Sequence, residues 1–228
     1  MKADLTRRRV VRGIGAASLL AGFSGWASRP VEHLDVAGAL TEVEVASGGR
    51  LGVYLLDTGS GRSSGNRVDE RFGMCSTFKL LLAAAILREA DAGRIDLDRF
   101  VEYGKADLVP HAPVTEVNLD KGGMTVAALA EATQLTSDNV AANLLLGLLG
   151  GPQGFTAILR AMGDTVTRID RLEPTMNLVP AGEVRDTTTP RAMAESVARI
   201  MTGEWLSAAS RARLEQWTIA TATGRKRI

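Results

Sequence analysis

Apolar and polar positions divide this chain into stretches of different period. Every position after Lys79 up to Leu87 is apolar, with no one-sided stripe. A helix that is apolar all round is a buried helix. Helical spacing recurs at 76–91, 125–134, 138–149, 152–162, 190–202 and 207–219. Gly93, Gly150-Gly151 and Gly203 follow the first, third and fifth of these and mark helix ends. Thr189-Pro190 offers an N-cap followed by proline at the first helical position. Upstream, Val31 to about Ala46 predicts a helix stopped by Gly48-Gly49. Residues 51–57 read as a strand, 58–61 as a turn, and a more polar strand follows near Asn66-Arg67-Val68. Positions 164–189 carry no period. A loop of that length inside a domain is uncommon, and when ordered it is usually functional.

Composition narrows the function classes. The 228 residues are 45% hydrophobic and 23% charged, with a formal net charge of +1. That balance argues against a nucleic-acid partner, which selects a basic face. No window reaches the roughly 20 apolar residues of a membrane span. One cysteine, Cys75, rules out an intrachain disulfide, and the two histidines, His33 and His111, lack a second ligand at metal spacing. No metal and no other cofactor is expected. The first residues read as an address: a basic start, a modestly apolar run, and small residues around Ala27 and Ser28. Thr6-Arg7-Arg8-Arg9-Val10-Val11-Arg12 resembles a twin-arginine export signal, with no cysteine near the cleavage zone for a lipid anchor. Residues 1–28 are therefore expected to direct a monomeric mature chain to the periplasm.

Three polar groups interrupt the apolar pattern. Ser76 and Lys79 lie three apart at the head of the buried helix, so hydroxyl and amine share a face. A first-turn serine sits where free N–H groups favour a developing anion. A desolvated lysine loses its proton readily and is then able to take one from the serine. Taken alone, the pair reads first as a capping serine with a snorkelling lysine. Ser137-Asp138-Asn139 falls between two helical stretches, as an N-cap or as a second hydroxyl and an amide for a substrate carbonyl. Asn143, one turn past Asn139, is placed to brace a neighbouring loop. Glu173 and Asn177, four apart in the aperiodic loop, suit a shared water, with the carboxylate as general base. An exposed acid beside a turn proline is the alternative.

In this order and at these separations, Ser-x-x-Lys, Ser-Asp-Asn and Glu-Pro-x-x-Asn resemble the class A serine β-lactamases. The resemblance extends over most of the chain after residue 28, including "GGRLGVYLLDTGSG", "NLLLGLLGGP" and "DTTTP". It implies an α+β fold of the serine β-lactamase and penicillin-binding-protein type, with an all-helical lobe and an α/β lobe. Residues 29–70 would open the α/β lobe, 71–220 would form the helical lobe with an Ω-type loop at 164–189, and 221–228 would begin the closing sheet segment. The substrate implied is a β-lactam, with water as co-substrate. Ser76 would be acylated, Lys79 would act as base or relay, and Ser137 would pass a proton to the lactam nitrogen. Asn139 would bind the substrate's side-chain amide, and Glu173 with Asn177 would activate the deacylating water. Arg171 and Asp186 match the pair closing the loop's neck, Glu173-Pro174 matches a cis bond, and His111 lies where relatives often carry an aromatic ring beside the cleft. Cys75 is expected to pack behind the serine.

One family signature does not occur: no Lys-Thr-Gly follows "WTIATATGRKRI" or stands anywhere else. In relatives it supplies a carboxylate-binding cation and one of two oxyanion donors, and losing one such donor costs on the order of 10²–10³ in rate. The expectation from the sequence is a chain ending short of that strand, with an incomplete sheet and impaired activity. A D-Ala-D-Ala peptidase or penicillin-binding protein and a non-catalytic remnant of the fold are the competing readings. Glu173 with Asn177 favours the hydrolase over the peptidase.

Overall fold

The computed structural model describes residues 36–224. The expected export signal, the beginning of the first helix and the last four residues lie outside them. Helix α1 (Val36–Ser47) precedes an antiparallel pair, β1 (Val53–Leu56) and β2 (Ser63–Asn66). After the short strand β3 (Phe72–Gly73), a 3-10 turn at Cys75–Thr77 leads into α2 (Phe78–Asp91). Strands β4 (Phe100–Glu102) and β5 (Gly123–Thr125) flank a polar excursion. Helices α3 (Val126–Thr136), α4 (Asn139–Leu148) and α5 (Gly151–Met162) come next in succession. The aperiodic segment contains one 3-10 turn, Thr175–Asn177, and closes on β6 (Thr187–Thr188); α6 (Pro190–Thr202) and α7 (Ala208–Ala220) complete the order.

Helix α2 is the core, as its all-round apolar sequence requires. Phe78, Leu81, Leu82, Ile86 and Leu87 are fully buried, and α3, α4, α5, α6 and α7 all pack against it. Phe78 meets Phe155 of α5 edge-on, with ring centroids 6.5 Å apart. The helix ends obey local chemistry. Thr125 Oγ1 accepts from Ala128 N at 3.2 Å to start α3, and Thr189 Oγ1 accepts from Ala192 N at 3.2 Å to start α6. Between α4 and α5, Gly150 takes the left-handed φ of 84° that a side chain would disfavour.

The β1–β2 register runs from Val53 opposite Asn66 to Leu56 opposite Ser63. The second strand therefore lies earlier than its sequence suggested. Arg67, at φ 48°, leaves the extended region and ends it. That turn brings the Arg67 guanidinium 2.6 Å from Glu44 on α1. Glu44 also accepts from Leu51 N at 3.0 Å and Asn66 Nδ2 at 2.9 Å. One buried carboxylate thus ties α1 to the end of β2 and to the residues leading into β1, while α6 packs on β1. The hairpin is covered rather than free-standing.

Strands β3–β6 and β4–β5 pair antiparallel; at two and three residues they are too short to show a period of two. The β3–β6 ladder anchors the far end of the aperiodic segment. At its near end, Thr156 Oγ1 donates to Ile169 O and accepts from Ile169 N, both at 3.0 Å. Among the described residues, three small strand pairs beside a helical core make an α+β fold.

Candidate active site

The 3-10 turn before α2 begins at Cys75, which holds a left-handed φ of 45°. It presents Ser76 at the surface, while Lys79, one turn on, is only 2% exposed. Cys75 is exposed, which corrects the expectation that it packs behind the serine: its backbone turns its side chain out of the core. Helix α3 ends at Ser137, whose φ of 62° stops the helix. Asp138 then caps α4 by accepting from Ala141 N at 2.9 Å. Its carboxylate also accepts from Val114 N, Thr115 N and the Thr115 hydroxyl at 2.9–3.0 Å. Asp138 is therefore the capping residue of its triplet. Ser137 and Asn139, on either side, turn toward Lys79.

Lys79 Nζ lies 3.4 Å from Ser76 Oγ, 3.0 Å from Ser137 Oγ, 2.8 Å from Ser137 O and 2.5 Å from Asn139 Oδ1. Ser137 Oγ and Ser76 Oγ are hydrogen-bonded at 2.9 Å. Amine and two hydroxyls thus form a closed triangle. Burial pushes the Lys79 pKa below the usual lysine value, opposed by the charges of Glu173 and Asp138. A neutral amine at that position has a lone pair free for the proton of Ser76.

The aperiodic loop delivers the carboxylate. Glu173 is 3% exposed and follows the neck made by Arg171 and Asp186. Asp186 Oδ2 accepts from Arg171 Nε at 2.5 Å, and its Oδ1 accepts from Asp170 N at 2.7 Å and Arg171 N at 3.0 Å. Asn143 holds the Glu173 backbone from both sides: Nδ2 donates to Glu173 O and Oδ1 accepts from Glu173 N, each at 2.9 Å. The Glu173-Pro174 bond is cis. Asn177 Nδ2 donates to Glu173 Oε2 at 2.6 Å. The other oxygen, Oε1, is 3.1 Å from Lys79 Nζ, yet buried without an aligned hydrogen-bond donor. It is placed to accept from a small hydroxylic molecule.

Ser76, Lys79, Ser137, Asn139, Asn143, Glu173 and Asn177 therefore converge. His111 lies beside them, exposed, with its carbonyl accepting from Asn139 N at 2.9 Å. Arg171 and Asp186 stand behind the site and shape the loop. Sequence reasoning overlooked the link from Asp138 to Thr115, since the partners are 23 residues apart and neither carries a spacing signal. A cleft of about 320 Å³ opens on Ser76, Lys79 and Ser137, with Leu80, Met193 and Val197 in its lining, a size suited to a small molecule.

Fold and site together fit a serine hydrolase, with a serine hydroxyl, a buried lysine and a buried carboxylate gathered at the head of a core helix. The sequence profile described as the Beta-lactamase enzyme family matches residues 35–228. The chain belongs to that family, in class A. It is 49% identical over 230 residues to β-lactamase L2 of Stenotrophomonas maltophilia, covering 96% of this chain and 76% of that protein. To β-lactamase FAR-1 of Nocardia farcinica it is 50% identical over 186 residues, covering 82% of this chain and 59% of the relative. Among solved structures, the class A β-lactamase reconstructed as the last common ancestor of Gram-negative bacteria (GNCA4) superimposes with a TM-score of 0.81 at 56% identity. That match covers 83% of this chain and 72% of the ancestral one.

Proposed function

We propose that this chain opens the β-lactam ring of penicillins and cephalosporins through an acyl-enzyme on Ser76. Neutral Lys79 takes the Ser76 proton as Oγ attacks the lactam carbonyl. The backbone N–H of Ser76, in the 3-10 turn that leads into α2, faces the developing oxyanion. As the C–N bond breaks, Ser137 gives its proton to the lactam nitrogen and is resupplied by the Lys79 ammonium. Asn139 directs an amide N–H at the substrate's side-chain carbonyl. Glu173, with Asn177, then removes a proton from water as that water attacks the ester, and Ser76 recovers a proton as the acid departs.

The observation that carries this reading is the Ser76–Lys79–Ser137 triangle with Glu173 Oε1 only 3.1 Å from the same amine. A base for acylation and a second base for release are both present, which favours hydrolysis over the slow release of a peptidase. The reading includes export by the segment around Arg7-Arg8-Arg9 to the periplasm, checked by cell fractionation. It also includes action as a monomer, because one chain supplies every group named, checked by size-exclusion chromatography.

The test is mass spectrometry of the full chain mixed with benzylpenicillin, alongside turnover of a chromogenic cephalosporin. Glu173→Ala is expected to hold a stoichiometric adduct at Ser76, and Ser76→Ala to take none. Absence of any adduct in the parent and in Glu173→Ala would leave a non-catalytic remnant of the fold.

A further inference from the structure

The side chain of His111 is bonded to neither Ser76 nor Lys79, yet the turn it belongs to is hydrogen-bonded to Asn139. Three bonds converge there. Pro110 O accepts from Asn139 Nδ2 at 2.8 Å, His111 O accepts from Asn139 N at 2.9 Å, and His111 Nε2 lies 3.0 Å from Thr136 O. Thr136 is the last residue of α3, so its carbonyl belongs to the turn that lacks onward helical partners. The imidazole closes that helix end from outside. His111 itself stands at φ 66°, a left-handed state uncommon for non-glycine residues but one that histidine visits more than most.

We infer that His111 is a positioning residue for Asn139: its ring straps the Pro110–His111 turn to the end of α3, and in that turn His111 O fixes the Asn139 backbone N–H while Pro110 O aims its side-chain amide. The aim matters because both ends of the amide are committed. Oδ1 faces Lys79 Nζ at 2.5 Å, and one N–H of Nδ2 is used by Pro110 O. A single N–H is left to meet a ligand carbonyl. Release of the turn would let the amide rotate and would also remove one acceptor from the buried amine. The strap is a role for the imidazole N–H, distinct from contact between the ring's face and a substrate. Two properties separate them: a strap needs a donor and tolerates loss of aromaticity, whereas a stacking face needs the ring and tolerates loss of the donor.

This inference rests on the hydrolase reading for its kinetic arm, and a second arm keeps it independent. In the kinetic arm, the full chain and its His111→Phe and His111→Gln variants are acylated by benzylpenicillin and by 6-aminopenicillanic acid. The two share a bicycle, but only benzylpenicillin carries a side-chain carbonyl for Asn139. The ratio of their acylation rates at Ser76 is expected to fall about tenfold in His111→Phe, the worth of one well-aimed hydrogen bond, and to be restored in His111→Gln. An unchanged ratio in His111→Phe, or a ratio lost in His111→Gln and kept in His111→Phe, overturns the strap. In the second arm, amide hydrogen exchange is followed at Asn139, whose N–H is bonded to His111 O. Faster exchange in His111→Phe with parental exchange in His111→Gln supports the strap; equal protection in all three proteins overturns it. If no penicillin acylates the parent, the hydrolase reading fails while the exchange arm still decides the role of His111.

Discussion

Lys79 is buried among more acceptors than an ammonium has protons. Ser76 Oγ, Ser137 O, Ser137 Oγ, Asn139 Oδ1 and Glu173 Oε1 all lie within 3.4 Å of it. Such a cluster holds the amine in place in either charge state. Its burial lowers the cost of giving up the proton, and the charges of Glu173 and Asp138 limit how far that goes. The arrangement depends on Glu173 staying put, and Asn143 supplies both of the hydrogen bonds to its peptide group. Asn143→Ala is therefore expected to slow release of the acyl group about 10- to 100-fold, the scale of a misplaced base. It should also destabilise the chain by roughly 1–3 kcal/mol for two lost hydrogen bonds. Acyl-enzyme lifetime and urea denaturation measure the two effects; an unaltered lifetime would separate Asn143 from the base.

Among the elements, α1 and the β1–β2 hairpin depend on one carboxylate. Hydrogen bonds from Arg67, Asn66 and Leu51 bring the Glu44 pKa from its ordinary 4.5 down to about 2. A depressed carboxylate stabilises the fold fully above its unfolded value and loses that contribution as pH falls toward its folded one. Glu44→Gln should thus melt below the parent at pH 7, with the gap closing between pH 4.5 and about 2. A gap of constant size across that window, followed by circular dichroism, would assign the loss to something other than charge. The helices were legible because each is long, periodic and ended by glycine or opened by a cap. The short ladders were not: β3 and β6 hold two residues each, and their pairing joins positions more than a hundred residues apart. The site was legible as three motifs. Asp138 bonding Thr115 and His111 bonding Thr136 were not, because contacts between a loop and a helix end 23 and 25 residues away leave no periodic trace.

At the scale of the whole molecule, Lys79 rides on α2, a core helix of the kind that opens last, and Ser76 sits in the 3-10 turn that leads into it; among the described residues, α3 to α7 all pack on α2. Glu173 does not share that protection. It sits on an irregular segment held by discrete bonds: the Arg171–Asp186 neck, the Thr156–Ile169 pair and the two-residue β3–β6 ladder. Warming should accordingly free the loop before it melts the core, and mass spectrometry across a temperature series with benzylpenicillin is the check. A covalent adduct should build up a few degrees below the main transition, while the far-ultraviolet signal is still native; coincident loss of adduct formation and helicity would contradict this ordering. The two halves of the catalytic cycle then have different thermal lifetimes. Under heat stress, the protein would pass from a catalyst that destroys many antibiotic molecules to a sponge that consumes one apiece, protecting its host only in proportion to the number of copies made.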